Sequence, residues 1–196
     1  MLFSVKKSAA LSLVLTLVFA AVSLFLKHLL GLDWNLNIGE GTPGQFLSGL
    51  GVIAASDLVI TGALLILFRT RYALLYSELA QYFGPQTLSA ILAGGLLAAS
   101  EEMFFRGVLQ KYMIQTLGAG VYSAVIVPAV IFGLFHIIWN KRLALFSIWA
   151  CWEGVLLGAV YIYTDSLPVT MAVHAAHDIA GFALFSLRRK RGVSSS

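Results

Sequence analysis

Charge is what this sequence has least of. Only 11% of its 196 residues are Asp, Glu, Lys or Arg, against about 25% in an ordinary soluble domain, which excludes a water-soluble globular fold. Cysteine is nearly missing as well: Cys151 stands alone in an apolar run, so there is no intramolecular disulfide and no CxxC metal site. No internal repeat is visible, and no low-complexity tract beyond the terminal serines. The HExxH pattern, which would set two histidines and a base one helical turn apart, is absent too.

What the chain has instead is apolar length. Hydrophobic residues make up 59% of it and the mean hydropathy is +0.88. A helix needs roughly 20 mostly apolar residues to cross a bilayer, and six such stretches can be laid down, at 8–29, 46–68, 87–108, 121–139, 143–162 and 168–187. These use most of the sequence. The expected fold is therefore all-α, a polytopic helical membrane protein with about six transmembrane helices in a single integral membrane domain over 1–196. The run after Lys6 and Lys7 continues to about Leu26, longer than a signal-peptide core and without an A-x-A site, so it is read as a membrane anchor.

The basic residues set the orientation. Lys6, Lys7, Arg69, Arg71, Lys141, Arg142, Arg188, Arg189, Lys190 and Arg191 all fall on one side if each span crosses once, while the loops around Asp33 to Glu40 and around Asp165 carry no Lys or Arg. The positive-inside rule puts that side, and both termini, in the cytoplasm. The net charge of +4 then reads as topology plus attraction to anionic lipid headgroups, and the bilayer, not nucleic acid, is the expected partner. Residues 32–45 form the longest polar loop, broken by Gly39, Gly41, Pro43 and Gly44. Residues 71–83 suit an amphipathic segment at the inner surface.

Against this background the buried ionisable residues stand out: Asp57, Glu101, Glu102, Arg106, His136, Glu153, His174, His177 and Asp178. One ionised side chain at mid-bilayer costs about 2.5–3.5 kcal/mol on insertion scales, so each is a functional candidate by default. Glu102 and Arg106, four apart, share a helical face and suit a structural ion pair. Glu101 points about 100° away and has no such partner, which leaves it free for chemistry. His174 and Asp178 are likewise four apart, with His177 beside them. Gly133, three residues before His136, permits close helix approach.

EEMFFRG, FGLFH and HAAHD, in that order on successive helices, match the EExxxR, FxxxH and HxxxN/D motifs. The chain thus resembles the CAAX protease and bacteriocin-processing enzymes, the Abi or CPBP family of intramembrane proteases, over roughly 87–187. The resemblance implies an intramembrane endopeptidase. Glu101 would activate a water for attack on a peptide carbonyl, His136 would help hold that water, and His174 and Asp178 would stabilise the oxyanion or orient the groups that do. Relatives often carry Asn at the last position. An ionised Asp178 only accepts hydrogen bonds, so it would orient His174. Glu102 and Arg106 keep their structural pairing, and no catalytic role falls to His177 or Glu153. The implied substrate is a membrane-embedded or lipid-modified protein or peptide; the best-known relatives remove the C-terminal tripeptide of prenylated CAAX proteins. A prokaryotic inner membrane suits the compact size.

The resemblance favours hydrolysis without a cofactor. The alternative is Zn²⁺ held by Glu101, His136 and His174, with water in the fourth position. Two non-hydrolytic readings stay open: a proton-coupled transporter using Asp57, Glu101, Glu153 and Asp178 as a relay, and a membrane chaperone or immunity protein. Counted along upright helices, His136 lies near the cytoplasmic end while Glu101 and His174 lie past the middle. A tilted third helix running to Leu117 and a fourth span ending beyond Trp139 would bring them level.

Overall fold

In the computed structural model, which describes residues 5–39, 41–70, 72–73, 87–139 and 144–193, every regular element is helical. Among the described residues six long helices follow one another: α1 (Val5–Leu29), α2 (Thr42–Leu67), α3 (Leu88–Gln115), α4 (Val121–Trp139), α5 (Ala144–Thr164) and α6 (Leu167–Val193). All but α4 are long and apolar enough to cross a membrane; the described apolar stretch of α4, Val121–Ile137, is shorter. The protein is an integral membrane protein of the polytopic helical kind. The amphipathic reading of 71–83 and the fate of the chain beyond Trp139 lie outside the described residues, apart from Tyr72 and Ala73.

Local signals account for the helix ends. Pro43 sits in the first turn of α2, where its missing N–H is not needed, so α2 begins at Thr42, before the polar loop was expected to end. Thr87 caps α3 by accepting from the Ala90 amide at 3.2 Å. Gly31, just past α1, has φ +61°, the left-handed conformation that ends many helices.

The four C-terminal helices form the core. α4 packs chiefly on α5, and α3 on α6 and α1. Small residues make these seams, as van der Waals packing in lipid requires. A Cβ on Gly95 would come within 2.5 Å of Ile179, and one on Gly133 within 2.7 Å of the Ser147 carbonyl oxygen. Polar side chains reinforce the α3–α5 contact: Arg106 donates to the Gly154 carbonyl at 2.6 Å and Gln110 to the Gly158 carbonyl at 3.0 Å. The matching four-residue steps show the two helices running parallel. By contrast α1 and α2 bury little. Ile53 of α2 is fully buried against Leu157, Val169 and Val173, yet most of α2 faces outward.

The third helix departs from the expected 87–108 in length and form. It is α-helical over Leu88–Glu102, π-helical over Met103–Gln110 and α-helical again over Lys111–Gln115. A π segment is rare and gathers at functional sites. The polar loop folds over this part of the bundle: Trp34 Nε1 donates to the Gly107 carbonyl at 2.6 Å, Asp33 N donates to Gln115 Oε1, and the Leu167 amide donates to the Asn35 carbonyl at 3.1 Å.

Candidate active site

The EExxxR segment lies where α3 passes from α to π geometry. Glu102 is fully buried and Arg106 is 1% exposed, and Nη1 of the arginine donates to Glu102 Oε1 at 2.7 Å. The same oxygen lies 2.7 Å from His174 Nδ1 on α6. Glu102 therefore joins α3 to α6, a link that spacing within one helix does not reveal. The arginine's second nitrogen reaches α5 through Gly154, and its guanidinium lies 5.7 Å from the centre of the Phe132 ring on α4. One buried pair thus ties four helices.

Glu101 behaves differently from its neighbour. Its side chain is half-buried, and among the described residues it has no hydrogen-bond or ion-pair partner. His174, Asp178, Glu102 and Glu153 all lie within electrostatic reach of it. His136 is placed by its own helix: Nδ1 is 2.9 Å from the Phe132 carbonyl oxygen one turn back. Since a carbonyl only accepts, Nδ1 carries the proton, and a neutral ring then presents Nε2 as an acceptor. Phe132 also stands between the two histidines, edge-on to both, with centroids 5.1 Å from His136 and 5.8 Å from His174.

His136 and His174 thus meet against one ring, that of Phe132, although counting along upright helices set them at different levels. α3 runs on to Gln115, and α6 begins beneath the polar loop, with Leu167 fully buried and its amide held by Asn35.

Asp178 shares a face with His174, as the four-residue spacing suggested, but makes only a long charge contact with it. Its Oδ1 is 3.9 Å from His174 Nε2, beyond a hydrogen bond, because Nδ1 is already turned to Glu102 and the Asp178 carboxylate lies 27% exposed at the rim. It is closer to His177 Nδ1, at 3.4 Å. His177 in turn contacts two acids that the motifs do not contain. Nε2 is 2.6 Å from Asp57 Oδ2 on α2, and Nδ1 is 2.6 Å from Glu153 Oε1 on α5. The second is a charge contact and not an aligned hydrogen bond. All three residues were visible as buried ionisable positions, but their association across three helices carries no signature in the sequence.

Glu153, His174 and Asp178 each bring one potential ligand atom within 4.8 Å of the others. This set shares only His174 with the zinc ligands considered from the motifs.

A family model described as type II CAAX prenyl endopeptidase, Rce1-like, matches residues 83–180, half of the chain. The chain belongs to this Rce1-like family. The matched stretch opens just before α3 and closes within α6, so Glu101, Glu102, Arg106, His136, His174 and Asp178 all fall inside it, while Asp57 lies outside. Neither the curated proteins nor the solved structures compared with the chain include a match. The family match thus covers α3 to α5 and much of α6, and α1 and α2 lie outside it.

Proposed function

We propose that this Rce1-like protein is a glutamate-type intramembrane endopeptidase that hydrolyses a peptide bond in a membrane-anchored or lipid-modified protein. The observation that carries the reading is the contrast within one dipeptide: Glu102 is consumed by Arg106 and His174, whereas Glu101 is half-buried and unpartnered among the described residues. A general base must be free to reach the proton it removes.

In this mechanism Glu101 takes a proton from water as the water oxygen bonds to the scissile carbonyl carbon. His136, its Nδ1–H held by Phe132, offers Nε2 to the second water hydrogen. The carbonyl π electrons move to oxygen, and the resulting oxyanion receives a hydrogen bond from His174. With Nδ1–H given to Glu102, a doubly protonated His174 keeps Nε2–H for the substrate, and the 3.9 Å gap to Asp178 leaves that donor unspent. Collapse breaks the C–N bond, and Glu101 passes its proton to the leaving amine. A site at mid-helix favours a substrate already partitioned into the bilayer. The distribution of basic residues supports a cytoplasmic side for both termini.

A zinc-dependent version is the second reading, favoured by the proximity of Glu153, His174 and Asp178 and by the carboxylate behind His174, a common support for a metal-binding histidine. Zinc would supply Lewis-acid activation of the water. The test is cleavage of a library of membrane-anchored and lipidated peptides by the purified protein, with and without chelator. Turnover that survives chelation supports the glutamate mechanism. Turnover lost to the chelator and restored by Zn²⁺ overturns it in favour of the metal.

A further inference from the structure

The Asp57–His177–Glu153 contact lies outside every motif, and the mechanism above does not use it. Three features single it out. It joins α2, α5 and α6 through one imidazole, with carboxylate oxygens 2.6 Å from both ring nitrogens. It borders the catalytic cluster, since Asp178 Oδ1 lies 3.4 Å from the same imidazole and Glu153 and Asp178 are grouped with His174. Finally, it is doubled by a neighbouring link between two of the same helices: Trp152 Nε1 donates to Ser56 Oγ at 2.8 Å, so 56 pairs with 152 beside 57 and 153.

Elementary electrostatics gives this arrangement a task. Carboxylates gathered around one imidazole in a low-dielectric medium repel one another strongly. His177 sits between these acids, with Nε2 at hydrogen-bond distance from Asp57 on one flank and Nδ1 in close contact with Glu153 and Asp178 on the other. Without it Glu153 and Asp178 would separate, and with them the wall that faces His174 Nε2. α2, which buries little else but Ile53 and Gly49, is the far anchor of this strut.

We propose that His177 is a positioning residue for the hydrolytic site: by bridging Asp57 on α2 to Glu153 on α5 it fixes the Asp178 carboxylate beside His174. The inference rests on the proposed hydrolase reading and extends the working site to α2, outside the family-matched core. It does not place His177 on the substrate, so its loss acts on kcat and leaves KM alone.

The experiment is steady-state cleavage of a lipid-anchored reporter peptide by the full chain, normalised to folded protein by thermal melting, for His177→Leu, Asp57→Asn and the double variant. His177→Leu keeps the apolar bulk and removes both ring nitrogens; kcat is expected to fall by about 10²-fold, the scale of a 1 Å misplacement, at unchanged KM. Asp57→Asn is expected to give a smaller loss that disappears in the His177→Leu background, as coupled neighbours require. Wild-type kcat in His177→Leu, a parallel change in KM, or effects that simply multiply would overturn the proposal. Should His177→Leu fail to fold, Asp57→Asn decides alone by the same split between kcat and KM. If the wild type cleaves nothing, the hydrolase reading fails, and the strut itself is read from the melting temperatures of the same three variants. Losses that are coupled between His177 and Asp57 support it, and losses that simply add overturn it.

Discussion

Two polar clusters lie side by side in this membrane domain, and they are built on opposite principles. The first, Glu102 with Arg106 and His174, is sealed, with exposures of 0%, 1% and 2%. Both of its bases converge on one carboxylate oxygen, and the arginine's remaining reach is spent on a backbone carbonyl. The second, Asp57, His177, Glu153 and Asp178, is open, with side chains between 10% and 27% exposed, and it carries more acid than base. A sealed pair in lipid ties helices and excludes water. The acid-rich cluster is the more accessible of the two, and Glu101, half-buried and without a hydrogen-bond or ion-pair partner among the described residues, is the motif glutamate that the sealed cluster leaves free.

The strongest way to break the comparison is to open the sealed cluster. Arg106→Ala takes from Glu102 its arginine partner, leaving His174 alone to face the buried carboxylate, and also frees the Gly154 carbonyl, so stability is expected to drop by about 3–5 kcal/mol, read as a lower denaturation midpoint in detergent. A drop confined to activity would mean that the pair is catalytic and not structural.

A smaller effect is expected at the α4–α5 seam that carries His136. In Gly133→Ala the added Cβ would lie 2.7 Å from the Ser147 carbonyl oxygen and 2.8 Å from Cys151 Cβ. Backbone cannot give way as a side chain can, and overpacking of this kind costs about 1–3 kcal/mol. Because His136 is one turn along the same helix, turnover should fall with stability; an unaffected melting curve would show that the seam is looser than described.

The smallest effect sharpens the frame around both clusters. Trp34→Phe keeps most of the ring that fills the space over Gly107 but loses the 2.6 Å hydrogen bond to its carbonyl, with an expected cost of about 0.5–1.5 kcal/mol. Faster amide exchange over Met103–Gln110 would locate that loss in the π segment, and exchange unchanged there would detach the loop from it.

These outcomes follow the line between what sequence spacing can and cannot express. Apolar runs made the helices legible, since bilayer thickness fixes their length, and the spacing of Glu102 to Arg106 described a contact within one helix. His174 meeting Glu102 instead of Asp178 was not legible, because the competing partner comes from another helix and periodicity carries no information on how two helices are rotated against each other. The π segment was equally hidden: MFFRGVLQ has the composition of any apolar helix, and its widened turn answers to contacts made elsewhere, with Trp34 over Gly107 and Gly154 under Arg106. The polar loop showed its glycines and proline but not its hydrogen bonds to α3 and α6. Asp57, Glu153 and His177 were each conspicuous in an apolar chain, yet only the packing of α2 against α5 and α6 brings them together.

The central claim is that two adjacent glutamates do unlike work, and comparing Glu101→Gln with Glu102→Gln on one lipid-anchored substrate tests it most directly. The account predicts that Glu101→Gln lowers kcat by about 10²–10⁴-fold, the scale of a general base, with an unchanged melting temperature, while Glu102→Gln lowers the melting temperature. Substantial turnover by folded Glu101→Gln would contradict it.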